Sequence, residues 1–375
     1  MNKKNHVFYF DYLRVFAAIS VIYMHVSAGP LRREINLDWH FINFFTCLGF
    51  TAVPLFFMMS GYLILSSEKT TDINVLLKKR LPHLIIPLAG WSVVAVLWTM
   101  FNTDSFTLSA LYNGLVSAIS SPAMVHMWYM YTLIALYAIS PIIAGGLRSL
   151  DKKGHIYILV LIGLVSFKAV AKTLSPDALD KFWDIDIINK VTFFGGHLGT
   201  FILGYYLGNL KKKIPNKILI SVAAIVLAVI TVGTFILTKQ TGEYNQSFQN
   251  QSAGLEIILA SLLFLIFKQN MNRPGRILDR VPLVPLSLSI YLMHNILLSM
   301  MYAVGFTVNS FTDTVVITLL NLLICLIVMK TVATVKPICY IATGMSYKSA
   351  CNSCNWIYTY RWITSIKRKS LHSKT

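Results

Sequence analysis

Acidic residues are scarce in this chain. It has 15 Asp and Glu against 33 Lys and Arg in 375 residues, and charged residues of both signs make up only 13%. A soluble globular domain carries about 25% charged residues, so an ordinary water-soluble enzyme is excluded. With 55% hydrophobic residues, the composition is that of a polytopic membrane protein. Cysteines are also few: Cys47, Cys325, Cys339, Cys351 and Cys354 have the spacing of no disulfide framework. Cys351-x-x-Cys354 has metal-ligand or redox spacing, but no second ligand pair follows and His372 is its only neighbouring candidate, so no metal is expected. Missing too is any loop long enough to house a soluble catalytic domain. Whatever chemistry the chain performs belongs in the bundle.

The formal net charge is +18, a balance that often signals nucleic acid. Here its distribution argues otherwise, because the basic residues collect in alternate loops between apolar segments. Those segments fall near 10–29, 43–66, 81–101, 125–146, 155–170, 191–210, 218–238, 253–268, 284–304 and 313–336. The expected fold is therefore all-α, a bundle of about ten transmembrane spans, with the fifth and eighth the shortest. The stretch Phe106–Ser120 is too polar for a span and is expected to lie in the interface or to re-enter. The positive-inside rule sets the N-terminus and C-terminus in the cytoplasm. In that orientation 24 of the 33 cationic residues are cytoplasmic, six are on the far side (Arg32, Arg33, Lys172, Lys181, Lys190 and Lys239), and Arg14, Lys168 and Lys330 lie in spans. The N-terminal MNKKN before an apolar run resembles a signal peptide. The run is long, carries Asp11 and Arg14, and lacks a small-x-small cleavage site, so it reads as an uncleaved first span. Two regions follow from composition: 1–336, the integral membrane domain, and 337–375, a cytoplasmic tail. The tail's Trp356, Tyr358, Tyr360 and Trp362 precede Lys367, Arg368 and Lys369, a pattern suited to the lipid interface.

The first span, Phe10–Gly29, organises the rest. On a helix, Arg14 and His25 differ by about 20° after three turns and by about 16 Å along the axis. Asp11 sits one turn before Arg14 on nearly the same face. The span thus has a polar stripe, with a cation near the cytoplasm and an imidazole near the far side. Ionisable residues in spans are costly and usually face a bundle interior or a cavity. The plainer alternative makes Asp11 and Arg14 interfacial snorkelers and His25 a packing residue. On the functional reading, desolvation favours neutral imidazole, which makes His25 the best general base for activating a hydroxyl. Arg14 presents a fixed fork of donors to a phosphate or carbonyl, and Asp11 at i−3 is placed to hold it. Lys79, Arg80 and His83 open the third span from the cytoplasmic side. They read either as topology charge or as a phosphate site for an anionic donor.

Four further positions stand out. Pro54-Leu-Phe-Phe-Met-Met-Ser60-Gly61-Tyr62 interrupts the second span, where Pro and Gly free backbone groups. His126-Met-Trp128-Tyr129 begins the fourth span at the level of His25. Trp128 and Tyr129 alone suit an interfacial belt; with His126 they suit a hydroxylic or sugar ligand. Ser287-x-Ser-Ile-Tyr291-Leu-Met-His294 puts a histidine near the middle of the ninth span, as packing residue or ligand. Glu256 is another costly charge in a span, with Lys168 or Lys330 as candidate partners.

Taken together these segments resemble the acyltransferase type 3 family of multispan membrane proteins. The first span matches its Arg-x10-His motif at Arg14 and His25, preceded by Asp11-Tyr-Leu. PLFFMMSGYL, HMWYMYTLIALYAISPII and SLSIYLMH resemble its second, fourth and late spans, in the family's order. The similarity runs from about residue 8 to 336, and is to the short form, such as the enterobacterial common antigen O-acetyltransferases, without the long form's extracytoplasmic hydrolase-like domain. The resemblance implies O-acetyl transfer in the bacterial inner membrane, from cytoplasmic acetyl-CoA to a hydroxyl of an extracytoplasmic envelope glycan or lipid-linked sugar. It implies His25, Arg14 and Asp11 as catalytic residues, and Arg14, Arg80, Lys79 and His83 at the acetyl-CoA site. His126, Trp128, Tyr129, Ser60, Tyr291 and His294 would hold the acceptor. Membrane lipid and the glycan are the expected partners, nucleic acid is not, and a homo-oligomer is compatible. The chain departs from the family in two places. Arg80 is followed by His83 where the family often has Arg-x-x-Arg, and the aromatic, basic tail is an addition. Two other classes compete: a transporter or flippase of envelope glycolipids, which would be expected to show repeat symmetry and broken helices, and an inactive member anchoring an assembly complex.

Overall fold

The computed structural model describes residues 6–175, 196–251, 254–274 and 282–354. Every regular element among them is helical. We label the longer helices α1 (Phe8–Ser27), α2 (Leu37–Gly49), α3 (Ala52–Leu65), α4 (Leu81–Asn102), α5 (Leu108–Ser120), α6 (Trp128–Ser149), α7 (Lys152–Leu174), α8 (His197–Asn209), α9 (Asn216–Thr241), α10 (Leu255–Asn270), α11 (Leu283–Ala303), α12 (Phe311–Val332), α13 (Lys336–Thr343) and α14 (Tyr347–Cys354). Eight helical stretches among the described residues are long and apolar enough to cross a membrane. The expected fifth span is one of them, a helix of 23 residues. The expected sixth and eighth spans are helices of 13 and 16 residues among the described residues, short of the roughly 20 that a bilayer needs. Residues 191–195 of the sixth lie outside the described ones. Phe106–Ser120 contains α5, a helix with no buried residue that leads through the turn Val125–Met127 into α6.

Lipid-facing surfaces are apolar where a soluble protein would be polar. Helix α9 exposes Ile220, Ile225, Val232 and Ile236. Helix α1 sits inside, packed against α2, α3, α10, α11 and α12, with Leu13, Ala17, Ile22 and Val26 buried. Its central position is what turns a polar stripe on one helix into a site. Helices α3 and α8 make the closest pairing, and two glycines permit it. A Cβ on Gly61 would lie 1.8 Å from the Phe201 carbonyl oxygen, and one on Gly204 would lie 2.1 Å from that of Met58. The ammonium of Lys268 at the end of α10 then donates to the carbonyls of Leu207, Gly208 and Leu210 (2.8, 2.6 and 2.7 Å). A cation there satisfies the orphan carbonyls of a helix C-terminus and ties the two short helices at one level.

The second span is interrupted, but not within Pro54–Tyr62 as the sequence suggests. The break lies at Phe50–Thr51, and α3 runs unbroken from Ala52 through Pro54 and Gly61. A proline ring clashes with the carbonyl four residues earlier, and four residues before Pro54 is Phe50. Proline therefore acts upstream of itself, and Gly61 serves the contact with α8 rather than a kink.

Orientation across the bilayer rests on the cationic loops, and reporter fusions test it. Fusions after Lys213 and Arg276 should be active in the cytoplasm, and one near Gln246 should report the far side. A cytoplasmic Gln246 would overturn the orientation and the span assignment together.

Candidate active site

Helix α1 carries Arg14 and His25 on one face, and each opens into its own cavity. The cavity at His25 has a volume of about 580 Å³ and is lined in part by His126, Trp128, His197, Gln246 and Tyr291. The cavity at Arg14 has about 490 Å³ and is lined in part by Ser60, His83, Tyr129, Tyr137 and Tyr291. Tyr291 on α11 belongs to both walls. Its hydroxyl donates to the His126 carbonyl, so it is fixed between the two chambers.

Around His25 three imidazoles cluster. The ring centroid of His25 is 5.1 Å from that of His294 and 6.0 Å from that of His126, and the latter two are 4.8 Å apart. Their hydrogen bonds distinguish them, since the partner of one ring nitrogen sets the state of the other. The Nε2–H of His126 donates to the Leu292 carbonyl at 3.3 Å, and its Nδ1 accepts from the Asn295 amide at 3.3 Å. Both of its nitrogens are occupied. The Nδ1–H of His294 donates to the Tyr291 carbonyl at 2.6 Å, and its Nε2 is buried without a partner. His294 does not line either cavity described above; it stands behind His25 and His126. His25 makes no hydrogen bond among the described residues and faces the cavity. Of the three clustered rings it is the one with a nitrogen open to a ligand.

Arg14 makes no hydrogen bond and no ion pair among the described residues. Asp11, expected to hold it, makes no ion pair with it but is the first of the charged neighbours acting on it; its Oδ2 meets His6 Nε2 at 2.5 Å, and its Oδ1 is buried without a hydrogen-bond partner. Arg14 therefore turns its fork of donors to a cavity whose polar wall is hydroxylic. Ser60 is within side-chain hydrogen-bonding reach of both Tyr129 and Tyr137 there. Arg80 and Lys79 are not among the lining residues. The guanidinium of Arg80 donates to Thr70 Oγ1 at 2.8 Å and Ser67 Oγ at 3.0 Å, and so fastens the loop before α4. His83 does line the cavity. The residues expected to hold an acceptor thus divide: His126, Trp128 and Tyr291 face His25, whereas Ser60, Tyr129 and again Tyr291 face Arg14.

Sequence reading missed His197, Gln246 and Tyr137. Tyr137 had a signal, because Tyr129, Leu133 and Tyr137 repeat at four residues on α6 and line one wall. His197 had none; it is fixed by its ring contacts with Trp128 and Phe57 at 5.0 and 4.8 Å. Beside Gln246 in the loop after α9, Tyr244 is half-buried, and the desolvation raises its hydroxyl above the usual tyrosine range. It stays protonated and donates to Gln249 Oε1 at 2.7 Å, orienting the Gln249 amide toward Cys47 Sγ at 3.2 Å. Near this network Glu256 is fully buried, and neither carboxylate oxygen has a hydrogen-bond partner. It forms no ion pair with Lys168 or Lys330. All five cysteines are free, and no group of three or more His, Cys, Asp or Glu side chains able to hold a metal occurs among the described residues.

These features define a multi-pass helical membrane protein with a polar, two-chambered site inside its bundle. The profile of the acyltransferase domain matches residues 7–330, which takes in α1 and nearly all of α12. The chain belongs to the acyltransferase type 3 family. No curated protein and no solved structure matches it, and the family match does not single out a subgroup.

Proposed function

We propose that this protein is an O-acetyltransferase of the bacterial inner membrane. It moves an acetyl group from cytoplasmic acetyl-CoA to a hydroxyl of an envelope glycan or lipid-linked sugar on the far side. The observation that carries this reading is one helix face bearing a guanidinium with no ion pair among the described residues and an open imidazole, each in its own cavity, with Tyr291 common to both. Arg14 binds the anionic part of the donor. The donor's acyl end reaches past Tyr291 toward His25, about 16 Å further along the helix. His25 takes the proton of the acceptor hydroxyl as its oxygen bonds to the thioester carbonyl carbon. When the carbon–sulfur bond breaks, the same proton goes to the leaving thiolate, so the products are an ester and a free thiol with no net proton change.

Mass spectrometry of envelope polysaccharide from cells with and without the protein tests this. Loss of the mass increment of one acetyl group replacing a hydrogen, per modified unit, is the expected result on deletion. An unchanged glycan mass with altered export would select a transporter instead.

A further inference from the structure

The family match stops at residue 330, but the site does not. Helices α13 and α14 lie beyond it, and α13 packs along α4. Two hydrogen bonds seat this segment. Trp91 Nε1 donates to the Ala342 carbonyl at 3.0 Å, and the Nδ1–H of His83 donates to the Gly344 carbonyl at 2.6 Å. Gly344 ends α13 in the left-handed region at φ +70°, where L side chains are disfavoured. A Cβ there would also lie 2.7 Å from the His83 carbonyl oxygen and 3.0 Å from its Nδ1. The backbone thus crosses the start of α4 with no room for a side chain. Cys339 and Thr343 point inward, while Ile338 and Ile341 are exposed on the other side of α13. The consequence is at the cavity: Thr343, Met345 and Ser349 line the same chamber as Arg14. Thr343 spends its hydroxyl locally, on the Cys339 carbonyl and the Met345 amide. Met345 is left as an apolar surface and Ser349 as an exposed hydroxyl at the cavity.

We propose that residues 336–354 form the donor-side wall of the active site and set the affinity for the acyl donor, with Met345 and Ser349 as specificity-determining residues. The proposal rests on the reading of the Arg14 cavity as the donor site. A guanidinium facing an apolar sulfur side chain and a hydroxyl suits a donor with an anionic group beside a less polar body, the chemistry of an acyl thioester on a phosphorylated carrier. Recognition is then divided. The bundle supplies the charge through Arg14, and the added segment supplies the shape. His83 is the joint between them.

Steady-state kinetics on the purified full-length protein test the wall. Acetyl-CoA is titrated at saturating acceptor, then acceptor at saturating acetyl-CoA, for the wild type, Ser349→Trp and Gly344→Val. Ser349→Trp fills the cavity from an exposed position, and Gly344→Val unseats the segment from His83. Both are expected to raise the KM for acetyl-CoA by about tenfold or more, equivalent to one lost contact, with the acceptor KM unchanged. Limited trypsin digestion shows whether Gly344→Val has freed the segment, by cleavage at Lys348. A donor KM within about twofold of wild type in both variants overturns the wall while leaving the acetyltransferase reading intact. A variant in which donor and acceptor KM rise together also overturns it, because the segment would then be structural. A wild type that neither binds nor uses acetyl-CoA overturns both readings at once.

Discussion

A His25→Ala protein should insert and fold, and should lose acyl transfer by about 10²–10⁴-fold, the usual cost of removing a general base. His126 has both ring nitrogens engaged, and His294 has one engaged and the other buried. His25 alone of the cluster combines an open nitrogen with a place in the cavity wall. Removing its ring leaves His126 and His294 held by their own backbone partners, so the far chamber keeps its walls. The effect should therefore fall on kcat with little change in the KM for the donor, since Arg14 is untouched. Glycan acylation in a null strain complemented with each variant measures it, with membrane levels checked by immunoblot. Wild-type acylation by well-expressed His25→Ala protein would remove the base and the mechanism built on it.

The polar stripe of α1 was readable because helical periodicity alone puts Arg14 and His25 on one face. That α1 is central, and that the stripe therefore faces a site, depends on five neighbouring helices and is not written in any local pattern. The three-histidine cluster is of the same kind. Each ring was conspicuous in its own segment, but His25, His126 and His294 meet only through the packing of α1, the turn before α6, and α11. Spacing puts Asp11 one turn before Arg14, where its charge acts on the guanidinium, but it does not reveal that the carboxylate's hydrogen bond is to His6. Arg80 is a cation at the expected level, and spacing does not reveal that its guanidinium donates to Thr70 and Ser67. Pro54 announced an interruption, and the clash that makes it acts four residues upstream. Composition set the tail apart at 337, and its aromatic and basic part falls in residues 355–375, outside the described ones. Nothing in composition tells that 336–354 would fold back onto α4, because the contact is made through backbone carbonyls and those have no sequence signature.

Arg14→Lys should weaken donor use although it keeps the charge. Lysine offers a compact, strongly hydrated ammonium in place of a planar fork with five donors, and so loses the parallel two-oxygen geometry of the guanidinium. Loss of a charge-assisted contact costs about 1.5–3 kcal/mol, so the KM for acetyl-CoA should rise by roughly 10–100-fold. Arg14→Gln removes the charge as well and should be the worse of the two. The ordering follows from the absence of any ion pair to Arg14 among the described residues. Were Asp11 its ion-pair partner, Arg14→Gln would strand a buried carboxylate and act first on folding. With Asp11 on His6, they should act on the donor. The acceptor KM should not move, because the His25 cavity lies about 16 Å away on the same helix. Donor titration of purified Arg14→Lys and Arg14→Gln, set beside His25→Ala, separates the two ends of the stripe. An Arg14→Lys enzyme with unchanged apparent donor affinity would return Arg14 to an interfacial snorkeler and leave the Arg14 chamber without its anion.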